Sequence, residues 1–314
     1  MRNEIPVYMV CGFLDSGKTT FLKDLLTSED FCAGEKTLFL RCEDGEEEYD
    51  EAELRKFNVF TVDVEKPEDF TSDFLRKLED EYWPEQVVIE YNGMWQLSVA
   101  YLAFPANWAL YQLVTLVDAT TFDMYAKNMG SLMMEKLTGA DIIVFNRCTP
   151  ELKDSLRKRN LKMVNRSAEI YLEDDTGEGE DYFLGGECPF DLSVPVLELE
   201  GDDYGFWFVD VMDNPDRYEG KTVKYKGIVV RSDQLPKDSI AVGRFAMVCC
   251  AQDMTFLGMV CKGADFKGFS TRDWAEVTGK VRKEYQEALK EEGPILYVER
   301  IEACEAPEQE VIGF

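Results

Sequence analysis

The residues Gly12-Phe13-Leu14-Asp15-Ser16-Gly17-Lys18-Thr19 space two glycines, a lysine and a hydroxyl as G-x-x-x-x-G-K-[ST]. Glycines so placed let the backbone turn tightly and bring its amides up to a ligand. The lysine neutralises phosphate charge, and the hydroxyl is a hard oxygen ligand suited to magnesium. The spacing arises by chance in roughly one chain per hundred of ordinary composition, so its surroundings must decide. An apolar run precedes it, and Thr20-Phe21-Leu22-Lys23-Asp24-Leu25-Leu26 follows with helical spacing. A strand, loop and helix in that order aim amides and a helix N-terminus at phosphate oxygens. The chemistry expected is binding of a nucleoside triphosphate with Mg2+, held by Gly12, Asp15, Ser16, Gly17, Lys18, Thr19 and Thr20.

Three later segments fall at the ends of apolar runs. Glu90-Tyr91-Asn92-Gly93 places a carboxylate to hold a magnesium-bound water and a glycine amide to sense a γ-phosphate. Asp118 follows Leu113–Val117. Asn146-Arg147-Cys148-Thr149 follows the run to Phe145, where GTPases carry their guanine-reading loop. In order and spacing these fit a GTPase. Lys18, Thr19 and Glu90 are the expected catalytic group, with Thr19 and Glu90 toward Mg2+ and Gly93, Asn146 and Arg147 toward the nucleotide. No general base is identifiable.

The elements that must position these residues alternate as strands and helices. Strands are expected at Pro6–Cys11, Thr37–Cys42, Val59–Val62, Gln86–Glu90, Leu113–Val117 and Asp141–Phe145, several of them continuous apolar runs, as parallel strands covered on both faces read. Helices are expected at Thr19–Leu26, Phe70–Leu78 and Glu151–Asn160. Tyr91–Val117 holds 27 residues without a formal charge, but Gln96, Pro105, Asn107 and Gln112 interrupt it. A buried helix followed by a buried strand is expected there, not a membrane span. The acidic, glycine-rich stretch 173–187 reads as an exposed loop, and Gly201-Asp202-Asp203-Tyr204-Gly205 as a joint. Beyond it, strands at Thr222–Arg231, Arg244–Cys250, Thr255–Cys261, Trp274–Arg282 and Ile295–Ala303 fit a small closed β-barrel, OB-like in shape. The expected fold is α/β: a P-loop NTPase domain over residues 1–200, with a mostly parallel sheet and flanking helices, and a C-terminal β domain over 201–314.

Composition narrows the function. The chain has 314 residues, 62 Asp plus Glu against 34 Lys plus Arg, and a net charge of −28. That field repels nucleic acid and anionic lipid. There is no histidine, which excludes a Ser–His–Asp triad, a Cys–His nucleophile and His-ligated zinc. Nine cysteines without framework spacing suit a reducing cytoplasm, and Met1-Arg2-Asn3-Glu4 does not read as a signal peptide.

Gly12-Phe13-Leu14 into Gly17-Lys18-Thr19-Thr20, then Glu90-x-x-Gly93, Val117-Asp118-Ala119, and Ala140-Asp141 before Asn146-Arg147, resemble the CobW-type P-loop GTPases. Asn165-Arg166-Ser167-Ala168-Glu169-Ile170 is similar to that family's Asn-Pro-x-Ala-x-Ile segment, so the resemblance covers about residues 5–200. It implies GTP and GDP as ligands, Mg2+, and hydrolysis. The family includes metallochaperones, but its Cys-x-Cys-Cys motif is missing: Phe60-Thr61-Val62-Asp63-Val64-Glu65-Lys66 stands there instead. Cys42-Glu43-Asp44-Gly45-Glu46 resembles the family's Asn-Glu-Phe-Gly-Glu switch. Residues 43–50 and 90–95 are therefore the expected switches, without the metal site.

The C-terminal part has its own resemblance. Tyr218-Glu219-Gly220-Lys221, Gly227, Val242-Gly243-Arg244-Phe245, Cys249-Cys250-Ala251-Gln252-Asp253 and Trp274-x-x-Val277-x-Gly279 look like the C-terminal domain of permease accessory subunits. This implies a membrane-permease partner for a cytosolic regulator. Cys249, Cys250 and Asp253, with Cys261, are candidate metal or redox residues; buried cysteines in a hairpin are the plainer reading. Three functions follow: a slow GTPase acting as a regulator, a degenerate nucleotide-binding module for a permease, and a metallochaperone using Cys249 and Cys250.

Overall fold

The computed structural model describes residues 3–313 apart from 33, 44–48, 160, 183–187, 189, 248–253 and 287–289. The chain divides into two compact units, one of residues 1–158 and 167–184, the other of 159–166 and 185–314. The division expected at 200 therefore falls inside the second unit.

The first unit is built on an eight-stranded sheet: β1 (Ile5–Cys11), β2 (Thr37–Arg41), β3 (Val59–Asp63), β4 (Gln86–Glu90), β5 (Trp108–Asp118), β6 (Ile142–Asn146), β7 (Glu169–Glu173) and β8 (Gly179–Asp181). Their order is β3-β2-β4-β1-β5-β6-β7-β8. Every pairing is parallel except β7 with β8. Alternate residues of the apolar runs supply two cores. Val7, Met9, Leu38, Leu40, Val87 and Ile89 face one side, while Val10, Phe39, Val88 and Val114 face the other. Each such side chain is worth about 1.5–3 kcal/mol when fully buried, which is why the central strands tolerate no polar face. The expected P-loop NTPase α/β architecture is the one observed, and the uncharged stretch forms the helix Leu97–Ala103 and β5. β5 starts at Trp108, earlier than expected, because its first half pairs with Ile5–Val7 ahead of a bulge at Val7/Tyr8.

The stretch read as a loop from residue 173 instead carries β8, whose Glu180 is ion-paired to Arg157 and Lys153.

The second unit contains β9 (Leu197–Leu199), β10 (Thr222–Val230), β11 (Ile240–Met247), β12 (Met254–Lys262), β13 (Trp274–Gln286), β14 (Glu291–Ala303) and β15 (Val311–Ile312). β10 pairs with both β11 and β13, and β12 runs parallel to β14, so five strands close a circuit β10-β11-β12-β14-β13-β10. The joint expected at 201–205 is in fact the start of a helix, Asp203–Asp213. Tyr204, Trp207 and Val211 lie on one face of it and are fully buried in this unit's core, so packing overrides the turn-like Gly201 and Gly205. No helix among the described residues is long and apolar enough to cross a membrane.

Candidate nucleotide-binding site

The loop 12–17 leaves the end of β1, between β4 and β5, and enters the helix Lys18–Leu26. Three of its residues have left-handed backbone: Gly12 at φ 149°, Asp15 at φ 62° and Gly17 at φ 90°. Gly12 admits no side chain, since a Cβ there would lie 2.3 Å from the Leu116 carbonyl oxygen and 2.5 Å from Ser16 Oγ. Asp15 takes the left-handed region as aspartate does more readily than most residues, and its side chain is exposed. Leu14 is exposed beside it, whereas Phe13 is buried and stacks on Tyr125 at 4.4 Å, fixing the outer wall of the loop.

Lys18 is buried, 4% exposed, and each acceptor it faces is close. Its Nζ donates to the carbonyls of Gly12 at 2.8 Å and Phe13 at 2.9 Å, and pairs with Glu43 Oε2 at 2.7 Å. Thr19 Oγ1 donates to Glu90 Oε1 at 2.9 Å, and Tyr49 donates its hydroxyl to Glu90 Oε2 at 3.0 Å. Burial raises the Glu90 carboxyl above its ordinary range, opposed by those two hydrogen bonds and by the Lys18 charge. Burial, with Glu90's charge and hydrogen bond, likewise raises the Tyr49 phenol. Thr20 follows on the exposed side of the helix. Gly93 sits against the loop: a Cβ there would come within 2.2 Å of the Gly12 oxygen and 2.7 Å of Phe13 Cα. The sheet thus brings together Gly12, Ser16, Lys18, Thr19, Glu90 and Gly93, from sequence positions up to 81 residues apart.

The other end is arranged differently. Asn146 Nδ2 donates to the Ser16 carbonyl at 2.8 Å, holding the loop from the side. Arg147, at φ 53°, donates through Nη1 to the Asp15 carbonyl at 2.7 Å and to Asp118 Oδ2 at 2.5 Å. Asp118 Oδ1 also accepts from the amide and hydroxyl of Thr120. Thr149 caps the helix Pro150–Arg157, its Oγ1 accepting from the Leu152 amide at 3.3 Å. Cys148 is buried, and burial pushes its thiol up to about 11.

Two polar atoms at this site are buried without a hydrogen-bond partner, Ser16 Oγ and Asn146 Oδ1. Orphaned polar atoms inside a native fold call for a ligand or water. The Ser16 hydroxyl can donate to a phosphate oxygen, whereas Asn146 Oδ1, an acceptor only, suits an N–H donor such as a base edge offers. Gly12 and Gly93 let the backbones of the loop and of residues 90–95 pack closely together. Thr19 and Glu90 are the oxygen ligands that fit Mg2+. Among the described residues no three Cys, Asp or Glu side chains converge to hold another metal ion. Cys249, Cys250 and Asp253, and residues 44–48 of the first expected switch, lie outside the described residues. Cys261 is buried in β12, and burial pushes its thiol up to about 12.

The family model for the CobW/HypB/UreG nucleotide-binding domain matches residues 6–171, more than half of the chain. The chain belongs to the CobW/HypB/UreG family. Within that family's domain lie every phosphate-end residue described above and the Asn146–Thr149 loop. A second family model, the DUF1980 C-terminal domain, matches residues 191–312.

Two curated relatives are similar to the chain. The UPF0703 protein YcgQ of Bacillus subtilis is 22% identical over 106 residues, 34% of this chain and 37% of that protein. A Streptococcus mutans protein described as a two-component membrane permease complex subunit is 27% identical over 84 residues, 27% of this chain and 30% of that protein. The chain spans about a third of the length of these relatives.

Among solved structures, Zn(II)-bound YjiA GTPase from E. coli is 18% identical, covering 81% of this chain and 89% of that one, with a TM-score of 0.42. The hydrogenase maturation factor HypB from Archaeoglobus fulgidus is 16% identical, covering 56% and 84%, with a TM-score of 0.38. Scores this low add nothing to the family assignment.

Tyr49 and Glu43 both stand in the expected switch 43–50, but sequence reasoning missed the contact of Tyr49 with Glu90 and the pairing of Glu43 with Lys18. Tyr49 lies 41 positions from Glu90, and no local spacing marks it. Glu43 stood in an expected switch, but nothing in the sequence showed which cation it meets.

Proposed function

We propose that this chain binds GTP and GDP and hydrolyses GTP slowly, with Mg2+, as a nucleotide-dependent regulator in the cytoplasm. The observation that supports it best is the convergence of Lys18, Thr19, Glu90 and Gly93 on one loop. Lys18 would meet the β- and γ-phosphates once it leaves Glu43, and the loop amides would take the remaining oxygens. Thr19 and Glu90 would hold Mg2+, which when bound neutralises charge on the β- and γ-oxygens. Tyr49 fixes the rotamer of Glu90. Gly93 lies where a γ-phosphate is sensed, making 90–95 one switch and 43–50 the other. The family's Cys-x-Cys-Cys motif is missing from this sequence, so we do not extend metal delivery to the chain.

The closed circuit β10-β11-β12-β14-β13-β10 in the second unit supports an OB-like barrel reading. Its DUF1980 match and the permease-complex description of the S. mutans relative favour a second reading, in which the chain is an accessory module whose partner is a membrane permease. The two readings separate on one experiment: release of inorganic phosphate from GTP over hours by purified protein, with and without Mg2+. Mg2+-dependent release supports the GTPase. Nucleotide binding without release supports the module.

A further inference from the structure

The helix Gly130–Gly139 carries two adjacent charged residues that the phosphate site does not use. Lys136 is 1% exposed, and its Nζ donates to the Trp95 carbonyl at 2.8 Å. Glu135 Oε1 accepts from the Leu97 amide at 3.1 Å, while its Oε2 is buried without a hydrogen-bond partner. Between them they grip the backbone on both sides of Gln96, beginning two residues after Gly93. The grip is anchored to the strands that carry the phosphate loop. The Lys136 carbonyl accepts from Thr115 Oγ1 in β5 at 3.0 Å, and Thr115 Oγ1 contacts Cys11 Sγ at the end of β1 at 3.2 Å. The helix also lies close on Leu97–Ala103, since a Cβ at Gly139 would come 2.9 Å from Leu97 Cδ1.

A buried ammonium and a carboxylate oxygen buried without a partner cost stability that apolar side chains of the same size would not. Groups retained at that cost are candidates for a switching role. We propose that Glu135 and Lys136 form a positioning clasp that sets residues 95–97, and through them Gly93, so that the γ-phosphate state is transmitted to the helices Gly130–Gly139 and Leu97–Ala103. The proposal rests on the reading that Gly93 senses a γ-phosphate. Neither residue touches the nucleotide; both act through the backbone of the switch.

Trp95, 8% exposed and edge-on to Tyr91 and Phe70, is a built-in probe of the segment. The test uses the full chain, with Trp95→Phe subtracted to isolate its fluorescence, and compares GDP with a non-hydrolysable GTP analogue. Lys136→Met is expected to bind GDP within about twofold of wild type, to lose most of the Trp95 difference between the two nucleotides, and to lower kcat about tenfold with little change in KM. Lys136→Arg should restore part of both. Glu135→Met, which removes the acceptor for the Leu97 amide, should act in the same direction and carries the test if Lys136→Met does not fold. The clasp is overturned if wild type responds to nucleotide state and the variants respond equally. It is also overturned if affinity for both nucleotides and melting temperature fall in parallel, the mark of a purely structural role. A wild-type protein that binds neither nucleotide overturns the GTPase reading itself.

Discussion

The two ends of the candidate site are built to different standards. At the phosphate end, Lys18 is held by the Gly12 and Phe13 carbonyls and by Glu43; Thr19 and Tyr49 donate to Glu90, and Gly12 and Gly93 leave no room for side chains. At the base end, the residue in line to accept from guanine is Thr149, and its hydroxyl oxygen already caps a helix. Arg147, in turn, is committed to Asp118 and the Asp15 carbonyl. A hydroxyl cannot reproduce the paired acceptors of a carboxylate. On the proposed reading, the difference places affinity in the phosphates and makes selectivity among bases a weaker and separable property.

Removing the strong end should have the largest effect. Lys18→Ala deletes the charge that faces the phosphates, so affinity for a fluorescent GTP analogue should fall well over tenfold while circular dichroism stays native. Unchanged binding would remove the phosphate-loop reading.

Strengthening the weak end comes next. Thr149→Asp keeps the helix cap, because aspartate is as good an N-cap as threonine, and leaves a second carboxylate oxygen for the guanine edge. The preference for GTP over ATP should rise by about 1–3 kcal/mol in competition binding, with melting temperature nearly unchanged. No change in preference would mean that residue 149 does not face the base.

Two smaller changes tune the strong end. The Glu43 carboxylate holds the ammonium that phosphate would otherwise take, so Glu43→Gln should tighten GDP binding by about 0.5–1.5 kcal/mol in a titration, and weaker binding would contradict the competition. Asp15 puts a carboxylate on the loop itself. Asp15→Gly should slow nucleotide release, equivalent to about 0.5–1.5 kcal/mol of relieved repulsion, and a stopped-flow rate that is equal or faster would show that the side chain points away from phosphate.

The strong end was the more legible in the sequence, for a physical reason. A phosphate loop is a local object, and its glycines, lysine and hydroxyl must stand at fixed offsets. The strand ends Glu90 and Asn146 were legible too, because buried parallel strands are continuous apolar runs with a polar residue where each one ends. Tyr49, Glu43 and Lys136 were not, since each acquires its role from a partner at least 25 residues away and no spacing encodes that. The helix Asp203–Asp213 was hidden by the opposite problem: Gly201 and Gly205 look like a joint locally, while the spacing of Tyr204, Trp207 and Val211 that buries one face was the better guide.

The measurement that tests the central claim most directly is competition of GTP, GDP and ATP against one fluorescent guanine nucleotide on the wild-type chain. Strong phosphate contacts and a weak base reader predict that guanine nucleotides win by a modest factor, with ATP competing at measurable concentration. A preference for GTP above about a thousandfold, roughly 4 kcal/mol, would mean that another residue reads the base, and an outright preference for ATP would contradict the account.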